Sequence, residues 1–241
     1  MFSPILKRIN FSIVSKVVLV SDVIKRELLK QIPGLKEKVI IIPHGIQTQN
    51  FHFSNKKQRT RKICVISSLI QLKRIDLIMK ALKSIDNISL HIAGDGRLLN
   101  NLMKLARELK IDGRTLFYGQ IPHHEIPRWL LDKDIIINAS DRESFAVSLI
   151  EGMSLGVIPL IRNWPGADEI YPNEFILPFR DQEFIDSLYK RVVEFYNLSE
   201  DIVEKKREQV RIIAKGKFSF NKQVERYDKL FSEILLDKTQ Q

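Results

Sequence analysis

The chain of 241 residues holds one cysteine, Cys64, which excludes an internal disulfide framework and agrees with a reducing compartment. Its neighbours in ICVI are apolar, so it reads as a small core hydrophobe. No uninterrupted apolar run approaches the roughly 20 residues that a membrane-spanning helix needs. The stretch INFSIVSKVVLVS, behind Lys7 and Arg8, is broken by Lys16 and followed by no convincing small-residue cleavage site, so a secretory leader is not expected. Zinc-ligand spacing, an RNA-recognition signature and an aromatic-interleaved basic stripe are all absent, so nucleic acid is not an expected partner. There is no internal repeat and no low-complexity tract.

Positive charge is plentiful. Lys and Arg number 39 against 29 Asp and Glu, a formal +10. That excess is compatible with nucleic acid, anionic lipid or phosphorylated ligands and does not choose among them. Its densest cluster, KKQRTRK at residues 56–62, reads as a solvated loop. The remaining composition is ordinary for a globular protein, and the length suits one large or two small domains with a real core. The expected location is the cytoplasm, with attachment to the cytoplasmic face of a membrane left open.

From residue 63 short apolar runs alternate with helical patterns. ICVISSL, ISLHIAG, TLFYG, DIIINAS, VIPLIRN and FILPF read as strands. RIDLIMKALKSI, RLLNNLMKLARELK, HEIPRWLLDK and the stretch after Ser144 read as helices, with a short turn near GADEIY. Strands joined by helices call for a parallel sheet covered on both faces, and near-continuous apolar strands agree. The fold class is therefore α/β, a Rossmann-like doubly wound parallel sheet with C-terminal helices. Residues 1–38 hold one strand, KVVLVS, and one helix, DVIKRELLKQI, with Ser21 or Asp22 as N-cap and Pro33-Gly34 as its stop. Residues 181–237 read as helical with a break near Gly216.

In such a sheet, ligands bind beyond the carboxyl ends of the strands. The loops there carry Lys73 (IQLKR), Gly94 and Gly96 (GDGR), QIPHHE, and DRESF. If Ser144 caps a helix starting at Phe145, the amides of Phe145, Ala146 and Val147 suit a phosphate. Glu143 stands ahead of that cap and Glu151 about 10 Å further along the helix. Acids so spaced can hold two separate hydroxyl-bearing rings, such as a ribose and a sugar flanking a diphosphate. Spacing alone leaves a plainer account open, with Glu143 a solvated loop acid and Glu151 a helix acid paired with a lysine.

The order of these pieces resembles the C-terminal, nucleotide-sugar-binding half of retaining glycosyltransferases of the GT-B fold, glycosyltransferase family 4 above all. ESFAVSLIEGMSLG is similar to that family's E-x-F-G-x-x-x-x-E-A-M-x-x-G. VIIIPHGI, LKRIDLIMKAL, LHIAGDG, TLFYGQI and GADEI resemble its other segments in order. The resemblance implies that Glu151 holds the ribose hydroxyls and Glu143 those of the transferred sugar. It places Lys73 on the diphosphate, stabilising the leaving group, and makes Lys73 and Glu143 the catalytic pair. Ser68, Gly94, Gly96, Tyr118, Gly119, Gln120, Ser144, Phe145, Ala146 and Val147 complete the implied nucleotide-sugar site, with Tyr118, Gly119 and Gln120 near the base. The implied donor is a UDP-sugar or GDP-sugar, with no cofactor and no metal. DKD at residues 132–134 matches a metal motif of a different fold but begins a strand at the opposite sheet edge.

The departures from the pattern are specific. Ser68 stands where the family has an arginine, so one diphosphate cation is missing unless Arg74, Arg97 or Arg142 replaces it. Ala146 replaces a glycine and His44 an asparagine. The resemblance further implies a remnant of the acceptor lobe over residues 1–38, the donor-binding domain over 39–202, and helices over 203–241 that pack back toward an acceptor lobe; either a partner chain contributes that lobe, or these residues are a truncated or excised part of a longer protein. The acceptor implied is a glycan or lipid-linked acceptor, and the alternatives are a non-catalytic nucleotide-sugar-binding remnant or scaffold and, against the GDG order and the paired glutamates, an unrelated Rossmann-like domain binding a plain nucleotide or dinucleotide.

Overall fold

This computed structural model describes residues 9–47 and 58–239; Lys7, Arg8, Lys56 and Lys57, named above, lie outside them. After a short 3-10 turn at Phe11–Ile13 come β1 (Val17–Leu19), α1 (Asp22–Gln31) and β2 (Val39–Ile41). β1 and β2 form a two-stranded parallel sheet, Val17 opposite Val39, over a small core of Leu28, Leu35 and Val39. Helix α1 stops before Pro33, as the sequence predicts. Ser21 is its N-cap residue, but the hydroxyl makes no cap bond; it reaches across the fold to donate to the Ser144 carbonyl at 3.1 Å.

The main sheet comprises β3 (Lys62–Ile66), β4 (Ser89–Ala93), β5 (Thr115–Phe117), β6 (Ile135–Asn138), β7 (Ile158–Arg162) and β8 (Ile176–Leu177). Their order is β5-β4-β3-β6-β7-β8, and every pairing is parallel. Between them run α2 (Ile75–Leu82), α3 (Leu99–Glu108), α4 (Ile126–Leu130), α5 (Val147–Ser154) and α6 (Ala167–Ile170). Helices α7 (Asp181–Asn197), α8 (Glu200–Lys217) and α9 (Phe220–Thr239) follow. The strands are continuous apolar runs because helices cover both faces of a parallel sheet. Ile63, Cys64, Val65, Ile135, Ile136 and Ile137 are all buried at its centre, so Cys64 is the core residue that its neighbours predict.

Three local expectations change. The C-terminal helices do break near Gly216, at Phe218-Ser219, but they also break at Leu198-Ser199, where the backbone turns extended before the acidic first turn of α8. Buried Phe218, edge-on to Phe145 at 5.6 Å between ring centres, anchors the Phe218-Ser219 bend. The described part of the basic cluster is not merely solvated. Arg59 donates to Glu200 at 2.9 Å and to the Phe195 carbonyl at 3.0 Å, tying the approach to β3 onto the α7–α8 junction. Lastly, α5 begins at Val147 and not at Phe145, for a reason given below.

Candidate nucleotide-sugar site

The chain leaves β3 for β4 and β5 on one side, whereas β6, β7 and β8 extend the sheet on the other. The order therefore reverses between β3 and β6, the position where open α/β sheets bind ligands. Lys73 ends the turn Gln71–Lys73 that follows β3, and Glu143 follows β6. The two loops are joined by the Asp141 amide, which donates to the Leu72 carbonyl at 2.9 Å. This juxtaposition brings Lys73 Nζ within 2.6 Å of Glu143 Oε1, in a pair whose side chains are 18% and 12% exposed. The same oxygen accepts from Asn138 Nδ2 at 2.9 Å and Ser140 Oγ at 2.7 Å. Among the described residues Oε2 of Glu143 accepts nothing.

Glycines set the neighbouring loop. Gly94 and Gly96 have φ of +133° and +155°, and a Cβ on them would stand 1.9 Å from the Ser67 carbonyl oxygen and 2.6 Å from that of Leu69. What approaches these glycines is the β3 loop, held by Ser67 N–H to Ala93 O at 3.0 Å and Leu69 N–H to Asp95 O at 2.8 Å. Only a residue without Cβ fits that crossing. Ser68, Gly94 and Gln120 then line one hollow of about 340 Å³. Gly119 contributes its carbonyl to the Gly94 amide at 2.6 Å.

Glu151 lies about one turn into α5 and lines a different, mostly apolar cleft of about 560 Å³ together with Val147, Leu155, His123, Arg128 and Phe220. Its Oε1 is 2.8 Å from His123 Nε2. Burial pushes the Glu151 carboxyl upward, and the His123 hydrogen bond partly opposes it. Glu143 and Lys73 line a third hollow of about 280 Å³ with Ser144 and with Ile24 and Glu27 of α1. The three hollows border the carboxyl-end loops, and the two glutamates occupy separate ones.

Helix α5 starts late because Ala146 takes a left-handed conformation, φ 57° and ψ 60°, and serves as its N-cap. Its carbonyl accepts from the Leu149 amide at 3.0 Å. Phe145 is buried against His44 and Phe218, and the buried Tyr171 hydroxyl donates to the Phe145 carbonyl at 2.7 Å, with that of Ala146 2.9 Å away. Ser144 is outside the helix, so the first-turn amides belong to Val147, Ser148 and Leu149 rather than to residues 145–147. Tyr118 does not line the Glu151 cleft; with Gln120 it borders a separate hollow, its hydroxyl meets His91 Nδ1 at 2.8 Å and its ring lies edge-on to Trp129.

Two of the three arginines weighed against Ser68 are committed. Arg74, at φ 46°, is held by Asp181, Asp76 and Asp141; Asp181, then Asp76, raise its pKa still further against the opposing effect of burial. Arg142 pairs with Glu27 of α1 at 2.6 Å. Arg97 is exposed and makes no ion pair among the described residues. Sequence reasoning missed Asn138 and Ser140, whose signal was polarity at the end of an apolar strand. It also missed His123 as a partner, although QIPHHE stood in the right loop, and the buried Arg162, which joins Asp141, Asp181 and the Ala139 carbonyl. Asp132 and Asp134 of DKD lie at the amino edge of β6, bonded to Lys62 and Lys133 and to Arg207 respectively.

Fold and loop placement define a Rossmann-like domain of the GT-B glycosyltransferase type, with acids and a lysine at its ligand edge. Residues 47–216 match the model of the glycosyl transferases group 1, and the chain belongs to that family. It is 23% identical over 197 residues to the GPI3 subunit of phosphatidylinositol N-acetylglucosaminyltransferase from Saccharomyces cerevisiae, covering 77% of this chain and 43% of that protein. It is 28% identical over 161 residues to alpha-monoglucosyldiacylglycerol synthase from Streptococcus pneumoniae, covering 59% of this chain and 36% of that one. The chain thus spans less than half the length of these relatives. Among solved structures, a Rickettsia africae glycosyltransferase superposes with TM-score 0.80 at 21% identity, covering 97% of this chain and 68% of its own. HepE of Anabaena, solved with UDP-glucose, gives 0.79 at 16% identity, covering 91% and 64%.

Proposed function

We propose that this chain is the donor-binding half of a retaining glycosyltransferase of family 4. It transfers a hexose-type sugar from a UDP- or GDP-sugar to a lipid-linked or glycan acceptor, with an acceptor lobe contributed from outside residues 39–241. The observation that carries the reading is the Lys73–Glu143 pair at the reversal point of the sheet, with Glu151 buried in the adjoining cleft. Each acid has one oxygen restrained and the other open to a sugar hydroxyl. Lys73 has three N–H donors, of which one is engaged by Glu143, so it can meet a diphosphate and stabilise charge developing on the leaving group.

The names of the two relatives, which act on phosphatidylinositol and make a glucosyldiacylglycerol, support a lipid-linked acceptor. The same names, together with UDP in the HepE structure, support a glucose-type sugar on UDP. Residues 1–38, whose strand the partner β2 extends to Ile41, are assigned to the edge of the acceptor lobe, and residues 203–241 to helices returning toward it. Among the described residues no helix is long and apolar enough to cross a membrane, and the basic excess suits a site at the cytoplasmic membrane surface.

A second reading, a nucleotide-sugar-binding remnant without transfer activity, draws support from Ser68 and from the commitment of Arg74 and Arg142 to carboxylates. Calorimetric titration with UDP, GDP and ADP tests both. Saturable binding of one diphosphate, weakened at least about tenfold by Lys73→Ala, is the expected result. No binding by a folded protein would overturn both readings. Binding without sugar transfer when an acceptor lobe and acceptor are added would select the remnant.

A further inference from the structure

We infer that His123 is a positioning residue for Glu151, holding that carboxylate so that its open oxygen meets the vicinal hydroxyls of the nucleoside ribose. The inference rests on the donor-binding reading above. Its basis is a contrast within one contact: the Glu151 side chain is 8% exposed and the His123 side chain 86% exposed, yet Nε2 and Oε1 are 2.8 Å apart. An exposed imidazole has no packing reason to sit there. An ionised carboxylate can only accept, so opposite it Nε2 carries the hydrogen, and the His123 hydrogen bond favours the ionised acid. His123 is the one donor to that carboxylate among the described residues, and Oε2 accepts nothing from them.

The surroundings make this donor matter. Val147, Leu155 and Phe220 give the cleft its apolar wall, and burial there favours the neutral acid. The other titratable or charged groups facing the cleft are His124 and Arg128; His124 stands 3.6 Å from Glu125. On α8, which packs on α5, Arg207 and Arg211 reach Gly156 beyond the end of the helix and pair with Asp134, Glu204 and Glu208. His123 therefore both aims the carboxyl group and favours its ionised form, the stronger acceptor, so it governs how strongly the site prefers ribose to deoxyribose.

The test titrates the full chain with UDP and 2′-deoxy-UDP at pH 7 and pH 5, with thermal melts confirming that each variant is folded. Wild type is expected to favour UDP by about tenfold or more, because a site built to bond a hydroxyl rejects the analogue lacking it. His123→Ala should weaken UDP about fivefold and bring the preference to about twofold, the loss of one charge-assisted hydrogen bond. Its UDP affinity should also fall more steeply than that of wild type between pH 7 and pH 5. His123→Gln, which restores an N–H donor, should recover most of the preference. If Glu151→Ala leaves UDP binding unchanged, the donor-binding reading itself fails. If Glu151→Ala weakens UDP while His123→Ala keeps the wild-type preference and pH profile, the donor reading stands and the role of His123 is overturned.

Discussion

Asp134 stands at the amino edge of the six-stranded sheet and Glu143 at its carboxyl edge, and the two carboxylates are partnered differently. Asp134 is fully buried, and both its oxygens are engaged. Oδ2 accepts from the Thr60 and Arg61 amides at 2.9 and 2.6 Å and from Tyr196 at 3.3 Å. Oδ1 accepts from Arg207 at 3.1 Å. Glu143 gathers three donors on one oxygen and leaves the other open. Glu151 repeats that pattern with His123. An acid with both oxygens engaged holds the fold together, whereas an acid with one oxygen pinned is oriented and still able to accept from a ligand. Under the donor-binding reading proposed above, the difference separates structure from site within one sheet.

The strongest way to break this comparison is to exchange the consequences. Asp134→Ala removes that carboxylate from buried Arg207 and from the Thr60 and Arg61 amides, and should cost about 3–5 kcal/mol of stability. Glu143→Gln keeps an acceptor for Lys73, Asn138 and Ser140, and should cost no more than about 1 kcal/mol, while weakening UDP-glucose relative to UDP under the donor-binding reading. Urea titrations of both variants beside calorimetry decide the matter. A Glu143→Gln protein as unstable as Asp134→Ala would make Glu143 a structural acid as well.

His91 sharpens the same contrast. His91 is bonded at both ring nitrogens, to Ser89 Oγ at 2.9 Å and Tyr118 Oη at 2.8 Å. Burial, and then the nearby Lys133 charge, lower its pKa to about 4. The unfolded chain, with His near 6.5, binds more protons between the two values. Stability from neutral His91 is therefore present above about pH 6.5 and lost as pH falls toward 4. After discounting for solvent screening the loss from pH 7 to pH 5 should be about 1–2 kcal/mol. His91→Gln should remove that slope, read from urea midpoints at the two pH values. An unchanged slope would assign it to other groups.

Much of the architecture was legible beforehand because parallel strands buried on both faces announce themselves as apolar runs. ICVI and DIIIN fell where such strands should, and the loops after them had to share one edge. Lys73 and Glu143 could be placed on that edge from strand order alone. What could not be read was partner choice. Nothing in the spacing says that Arg74 turns to Asp181, that Ser144 offers its carbonyl to Ser21, or that Tyr118 folds back onto His91. Such contacts depend on which way a loop leaves its strand, and sequence periodicity carries no information on that. The start of α5 was misplaced for a related reason: Ser144 is a good cap by residue type, but the chain turns two residues later.

That turn supplies the smallest and cleanest test. Ala146 occupies left-handed space at φ 57°, where an L-residue is disfavoured by about 1–2 kcal/mol relative to its usual regions. Glycine, which the family pattern places here, avoids that cost but loses more backbone entropy on folding, by roughly 0.5–1 kcal/mol. The two terms nearly offset, leaving Ala146→Gly more stable by a few tenths to about 1 kcal/mol, or a rise in Tm of up to about 3 °C for a chain of this size. If the methyl group also narrows the entry to α5, the same variant should bind the nucleoside diphosphate more tightly. A lower Tm would mean that Ala146 packs more favourably than its backbone conformation costs. Tighter binding at unchanged Tm would instead locate the effect of the methyl group at the ligand edge.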